Sequence, residues 1–358
     1  MTATTVQPTD LFLGLTPERV LAAVEAAGFQ CRPVCYPLNS FENRVYEVEL
    51  EDRSRRVAKF YRPGRWSREQ ILAEHEFLAE LDGEEIPVCP ALPFPDGGTL
   101  RTIDGIHYAL FERKGGRAPD ELDDRSAERL GMLVGRMHAV GARHPADSRV
   151  RISGDSFVLD NLRWLDDAKT VSAGVWPRYR AAAVALADLY DGLSEGIAVQ
   201  RVHGDLHLGN VLLRDGQLRL LDFDDMAMAP PVQDCWLALP GRDRDTLHQR
   251  ELFLEGYEQF RSFDFQTLRL IEPLRGLRLV HYATWLAKRW HDPIFPRTWT
   301  HFGTEEYWTR EAEGLEEVLA VIEKAAEPAV SGAARSANAR SEEPELSNKD
   351  YFWDWEEK

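Results

Sequence analysis

Two short stretches carry acids and an amide at spacings suited to moving a phosphoryl group. His203-Gly204-Asp205-Leu206-His207-Leu208-Gly209-Asn210 sets a carboxylate five residues before an amide, and Leu220-Leu221-Asp222-Phe223-Asp224-Asp225 sets another carboxylate twelve residues beyond that amide. Between them, Val211 to Leu220 reads as a strand, an Asp215-Gly216 turn and a second strand. Such a hairpin folds the chain back, so that Asn210 and Asp222 meet at one end of it. One acid, one amide and one further acid converging there suit a proton-accepting base beside a magnesium site. Magnesium takes oxygen ligands and keeps places for waters and substrate phosphates, which is what phosphoryl transfer requires.

A rival chemistry uses the same residues. If His203, Asp205 and His207 alternate along a strand they share a face and could ligate zinc or manganese in a hydrolase. No second cluster of histidines supports that metal-dependent hydrolase, and it leaves the hairpin and Asp222 unexplained. The plainer possibility, that Asp205 merely caps a turn, does not account for His203 and Asn210 at matching offsets.

The elements that must position these groups are legible in outline. Thr16-Pro17-Glu18 starts a helix, Val20, Leu21 and Val24 give it an apolar stripe, and Gly28 ends it. Asn43 to Leu50 and Arg56 to Tyr61 read as two strands of a hairpin. A helix follows over Ser67 to Leu81, with Ser67 and Gln70 as a capping box. On it Glu74 falls between Ile71 and Leu78, so it points inward and needs a partner; Lys59 on the preceding strand is the candidate. Strand-like pieces near Thr99 to Ile103 and His107 to Phe111 precede a glycine-containing connector at Glu112 to Arg117. From Ser126 the chain is mostly helical, with stripes over Leu130 to Met137, Trp176 to Leu193, Asp245 to Phe260 and Glu272 to Trp290. Trp285, Trp290 and Trp308 in this region read as core. The expected fold class is therefore α+β: a strand-rich lobe with one embedded helix at residues 1–112 and a helical lobe carrying the catalytic hairpin at 113–326. Residues 327–358 turn to Ala, Ser, Asn, Arg and Glu and read as a flexible acidic-aromatic tail, with Tyr351-Phe352-Trp353-Asp354-Trp355 unusual for a loose segment.

Composition narrows the class. The chain has 358 residues, 44% hydrophobic content and a formal net charge of −17. That charge argues against nucleic acid and anionic membranes as partners and is compatible with basic peptides. Four cysteines in no zinc or CxxC pattern read as buried thiols of a reducing compartment. With no signal-like N-terminus and no membrane-length apolar run, the expected location is the cytoplasm and the expected state a monomer.

These residues together resemble a known family. Leu38-Asn39-Ser40-Phe41-Glu42-Asn43-Arg44-Val45-Tyr46, Val57-Ala58-Lys59-Phe60-Tyr61-Arg62-Pro63, Ile71-Leu72-Ala73-Glu74-His75 and the hairpin motif stand in the order found in aminoglycoside-phosphotransferase-type kinases of the protein-kinase-like bilobal fold. Within that family it resembles the bacterial stress-response kinase branch, through Pro231-Val232-Gln233-Asp234, Ile271 to Arg275 and Arg289-Trp290, over about Thr16 to Pro328. The resemblance implies an ATP- and Mg2+-dependent Ser/Thr protein kinase that also phosphorylates itself. It implies Asp205 as catalytic base, Asn210 and Asp222 as magnesium ligands, Lys59 on the ATP phosphates held by Glu74, and Ser40 in the loop covering the nucleotide. It places adenine against Phe111, Glu112 and Arg113, and has Asp234 and His203 brace the catalytic loop. Asp224 and Asp225 are expected to be structural, because a side chain next to Asp222 on a strand points elsewhere. Asn39 to Asn43 stand where protein kinases carry a glycine-rich loop, and Asp224 replaces the usual glycine of Asp-Phe-Gly. The same catalytic set also serves small-molecule kinases acting on aminoglycosides, homoserine or choline-like hydroxyls, the alternative acceptors here. A nucleotide-binding pseudokinase is opposed by the complete set Lys59, Glu74, Asp205, Asn210 and Asp222.

Overall fold

The structure, a computed structural model, describes residues 8–326; the aromatic tail motif at 351–355 lies outside the described residues. After α1 (Pro8–Leu13), α2 (Pro17–Ala26) begins at Thr16, whose hydroxyl accepts from the Arg19 N–H. A five-stranded antiparallel sheet follows: β1 (Cys31–Leu38), β2 (Arg44–Leu50), β3 (Arg55–Phe60), then α3 (Arg68–Gly83), then β4 (Arg101–Ile103) and β5 (Ile106–Glu112), in the order β1-β2-β3-β5-β4.

Alternation gives this sheet two covered faces. Ala58 and Phe60 on β3, with Val48, Tyr108 and Leu110, pack against Val20, Ala23 and Val24 of α2. Val57 and Lys59, one residue out of phase, line the cleft on the other face. Lys59 sits on the central strand, paired with Val45 and Ala109. On that side α3 carries the reciprocal Ser67–Gln70 capping box, and His75 ties it down through Tyr61 Oη at 2.9 Å and Thr99 Oγ1 at 2.8 Å. Burial pushes the His75 imidazole down to about 3, with Lys59 adding to the effect, so the ring is neutral and serves as a strut.

Beyond the connector the chain is helical: α4 (Asp124–Gly141), α5 (Asp160–Asp167) and α6 (Trp176–Ser194), then β6 (Gln200–Val202), the hairpin β7 (Val211–Arg214) and β8 (Gln217–Leu220), and β9 (Ala227–Ala229) paired with β6. There follow α7 (Val232–Ala238), α8 (Arg244–Glu258), α9 (Ile271–Arg289), α10 (Ile294–Thr298) and α11 (Glu305–Ala326). α4 and α8 cross closely because Gly131 meets the backbone of Phe253; a Cβ there would lie 1.8 Å from the Phe253 carbonyl oxygen. The main core runs from α3 and β5 through α4, α6 and α9 to Trp308 on α11.

Some expectations are corrected. The strand β1 escapes sequence reading because Pro33 and Pro37 interrupt any alternation. An edge strand with exposed positions tolerates prolines, since it needs to bond on one side only. The short strands β6 and β9 carry too few residues to show a period. Of the four cysteines only Cys235 is fully buried. Among the described residues no helix is long and apolar enough to cross a membrane.

Candidate active site

A cleft of about 1270 Å³ separates the sheet-bearing lobe from the helical one. Ser40, Lys59, Glu74, Phe111, Glu112, Arg113, Asp205, Asn210 and Asp222 all line it. The hairpin has the expected turn, with Asp215 and Gly216 at φ 52° and 73°. It returns the chain so that the Leu221 N–H donates to the Asn210 carbonyl at 2.9 Å. The Asn210 amide nitrogen donates to the Asp205 carbonyl at 2.8 Å, which leaves its side-chain oxygen as an acceptor.

The loop bearing Asp205 is braced from beneath. The Asp234 carboxylate, fully buried on α7, accepts the His203 N–H at 2.8 Å and the Gly204 N–H at 2.9 Å. Its second anchor is His138 on α4, Nε2 to Oδ2 at 2.9 Å, and Tyr257 Oη meets the other ring nitrogen of His138 at 3.1 Å. Gly204 has φ 85°, and a Cβ there would stand 2.1 Å from the Asp225 carbonyl oxygen, so the two halves of the site touch only because this residue is glycine.

His203 directs Nε2 to the Leu221 carbonyl at 2.7 Å and Nδ1 to the Asp205 N–H at 3.3 Å. Both ring nitrogens are committed, so His203 is not available as a metal ligand. Among the described residues no three His, Cys, Asp or Glu side chains form a metal-holding group, and the hydrolase reading of His203, Asp205 and His207 fails.

On the sheet side of the cleft, one lysine meets three carboxylates. Lys59 Nζ lies 3.3 Å from Glu74 Oε1, 3.1 Å from Asp222 Oδ1 and 3.1 Å from Asp224 Oδ1. Burial opposes the lysine's charge, but Asp224, Glu74 and Asp222 together hold its pKa well above the ordinary value. Burial pushes Glu74 up to about 7 against the pull of Lys59, which it shares with the two aspartates. Glu74 Oε2 is buried with no hydrogen-bond partner. The expectation that Asp224 points away from Asp222 is corrected: it stands two residues on, where even a strand would return it to the same face, and no strand runs through it. Asp222 takes a left-handed φ of 54° and residues 223–225 form a 3-10 turn, which swings Asp224 to Lys59 and to Arg65 at 2.7 Å. Arg149 pins the same turn, donating to the Met226 carbonyl at 2.7 Å and lying 4.2 Å from the Trp66 ring centroid.

Asp205 stands in different company. Arg278 on α9 donates to its Oδ1 at 2.6 Å, and His207 Nε2 lies 3.6 Å from Oδ2. Burial alone would raise this carboxyl; Arg278, His207 and His203 outweigh it and hold the group below the ordinary carboxylate range. Sequence reasoning missed Arg278. Its signal is the spacing of polar residues along 278–289, which recurs at a helical period.

The segment over the cleft, Asn39 to Asn43, is fastened to the opposite lobe. Glu42 accepts from Arg289 Nε at 2.8 Å and Arg289 Nη2 at 2.9 Å, and from the Trp285 indole N–H. Arg62 binds the Glu42 and Phe41 carbonyls at 2.9 and 3.1 Å and the Asp292 carboxylate at 3.0 Å. Phe41 packs edge-on to Trp299 with centroids 4.9 Å apart. Trp285, expected as core, instead lines the cleft and ties down this loop; Trp308 is core.

The donor set fits magnesium. Asp222, half-exposed at 53%, and the Asn210 side-chain oxygen would supply the oxygen ligands. Lys59 and Arg65 take up Asp224 between them and Glu74 is buried, so the half-exposed Asp222 is the carboxylate left facing the cleft, where a divalent cation would meet it.

Residues 35–271 match the family described as "Phosphotransferase enzyme family". The chain is 38% identical over 301 residues to "Stress response kinase A" of Salmonella paratyphi A, covering 84% of this chain and 91% of that protein. It is equally 38% identical over 301 residues to "Serine/threonine protein kinase RdoA" of Salmonella typhimurium, with the same coverage. Among solved structures, the amicoumacin kinase hAmiN in complex with AMP-PNP, Ca2+ and Ami superposes with a TM-score of 0.69 at 20% identity, covering 86% of this chain and 95% of that one. This likeness shows the kinase-like bilobal fold. The chain belongs to the phosphotransferase enzyme family, in the branch of stress response kinase A and RdoA.

Proposed function

We propose that the protein is an ATP-dependent kinase that phosphorylates serine or threonine hydroxyls of proteins, itself included. The observation that carries the reading is the pairing across one cleft of Lys59, ringed by Glu74, Asp222 and Asp224, with Asp205, set apart beside Arg278. In this reading residues 1–112 form the lobe that covers ATP and 113–326 the lobe that carries the catalytic loop. Lys59 and the Asn39 to Asn43 loop, with Ser40, hold the phosphates, and the adenine lies against Phe111, Glu112 and Arg113. Asn210 and Asp222 would hold magnesium, which supplies charge neutralisation for the phosphates when bound.

Asp205, ionised at neutral pH, accepts a hydrogen bond from the acceptor hydroxyl and aligns its oxygen with the γ-phosphorus. The bond from that oxygen to the γ-phosphorus forms, the bond from the γ-phosphorus to the β,γ-bridging oxygen breaks, ADP leaves and the hydroxyl proton passes to Asp205. Asp234 and His203 keep the loop in register while this happens. The protein-acceptor reading is supported by the relative named as a serine/threonine protein kinase. The second reading, a small hydroxyl compound as acceptor, is favoured by the fold shared with the amicoumacin kinase.

The test is transfer from γ-labelled ATP to the purified chain and to a panel of small hydroxyl compounds, in wild type and Asp205→Asn. Label on protein that disappears in the variant supports the proposal. Label confined to a small molecule rejects the protein acceptor, and transfer by the variant rejects Asp205 as base.

A further inference from the structure

The acceptor side of the cleft is walled by charge of one sign, although the whole chain is strongly acidic. α9 turns one face to the cleft, formed by Arg278, His281, Tyr282, Trp285, Lys288 and Arg289 at helical spacing. The opposite face, with Leu277, Val280 and Ala283 among others, is buried. No carboxylate stands on the cleft face. Two acids reach this half besides Asp205, and each is already met by arginine. Glu42 lies against Arg289 at 2.8 Å and Arg62 at 3.2 Å, and Asp225 against Arg65.

Lys288 is different. Among the described residues no carboxylate lies within ion-pair distance of it, and Asp160, whose field reaches it, is paired with Arg163. Its ammonium donates to Asn161 Oδ1 at 3.1 Å and stands 5.6 Å from the Trp164 ring centroid. Between Lys288 and Arg278 lies His281, stacked on Phe157 with centroids 4.3 Å apart. Its imidazole is pushed down to about 3, first by burial and then by Arg278, Arg65, Lys288 and Arg289, which reports a positive field along this wall. A polyamine acceptor would meet cations here and would find no carboxylate to receive it.

We propose that the acceptor is an acidic Ser/Thr segment that lies along α9, with its hydroxyl at Asp205 beside Arg278 and a carboxylate received by Lys288. The inference rests on the protein-acceptor reading given above. Ten residues of helix separate the two cations, an axial distance of about 15 Å at 1.5 Å per residue. An extended peptide covers about 3.3 Å per residue, so the matching carboxylate stands roughly four or five residues from the phosphorylated hydroxyl.

Three peptides test this, each with one serine flanked four and five residues away on both sides by glutamate, glutamine or lysine. Initial rates of transfer from γ-labelled ATP are measured with wild type and with Lys288→Glu, a change at an exposed position. Wild type should show kcat/KM about two- to fivefold higher for the glutamate peptide than for the glutamine peptide, and lowest for the lysine peptide. Lys288→Glu should reverse that order. Equal rates for the three peptides, or an order that the variant does not reverse, overturn the inference and leave the kinase reading intact. No label on any peptide overturns the protein-acceptor reading and the inference with it.

Discussion

On the sheet side of the cleft Lys59 faces three carboxylates, one of them shared with Arg65; on the α9 side one carboxylate faces an arginine, two histidines and, farther along, a lysine held only by an amide oxygen and a ring. The two halves are built from the same short piece of chain, since Asp205 and Asp222 flank a single hairpin. What gives them opposite character is the company each keeps: β3 and α3 on one side, α9 on the other. A site with surplus negative charge suits a divalent cation with phosphates. A site with surplus positive charge keeps Asp205 ionised and suits an anionic acceptor. In the proposed reading one hairpin would thus supply a metal ligand and a base whose surroundings pull them apart.

The comparison breaks most visibly if the two acids prove interchangeable. Asp205→Asn and Asp222→Asn should each lower transfer by about a thousandfold or more, but for different reasons. Calorimetry should find ATP binding retained in the first, and magnesium-dependent ATP binding weakened in the second. Equal loss of nucleotide binding in both would erase the division. A smaller effect should follow from Asp234→Asn, which loosens the loop beneath Asp205. kcat should fall by roughly a hundredfold while KM for ATP holds, because displacement of the base by about 1 Å is enough. A matched rise in KM would place Asp234 on the nucleotide side instead.

The strap between the halves gives the next effect. Burial would raise Glu42, but Arg65, Arg289 and Arg62 hold it down at about 2. Glu42→Gln leaves those arginines short of a counter-charge and should cost about 3 kcal/mol of stability in a denaturant titration. A variant as stable as wild type would show that the loop is not held by this contact.

The smallest effects are the pH slopes, which should run in opposite directions. Glu74 keeps its proton up to about 7 in the fold against an ordinary 4.5, so across that window the unfolded chain ionises first and stability falls as pH rises. His281 refuses a proton down to about 3 against an ordinary 6.5, so across that window the unfolded chain is protonated first and stability falls as pH drops. Thermal melts from pH 3 to 8 should show Glu74→Gln lessening the first slope, which Glu311 shares, and His281→Gln lessening the second, which His75 shares. Slopes that both variants leave unchanged would place the titrating groups elsewhere.

Much of the site is legible in the sequence because its residues are organised locally. Asp205, Asn210 and Asp222 converge through a hairpin whose Asp-Gly turn is itself a sequence signal. Glu74 is inward because of its phase on α3, and Ser67 and Gln70 announce where that helix begins. The proline-bearing edge strand β1 hides because an edge needs no alternation. Asp224 hides because nothing in the sequence marks the left-handed turn at Asp222 that carries it to Lys59 and Arg65.

By itself the sequence determined the order of the helices and of the longer strands, the faces of the helices and the grouping of Asp205, Asn210 and Asp222, since these follow from repeats of two and 3.6 residues and from short turns. Only the tertiary structure decided which charges meet. Arg278 reaches Asp205 across 73 residues of chain, His138 reaches Asp234 across 96, and Arg289 reaches Glu42 across 247. No local period encodes such separations. The pairs form because packing takes these side chains out of water and each buried charge must then find its counter-charge wherever the fold has placed it.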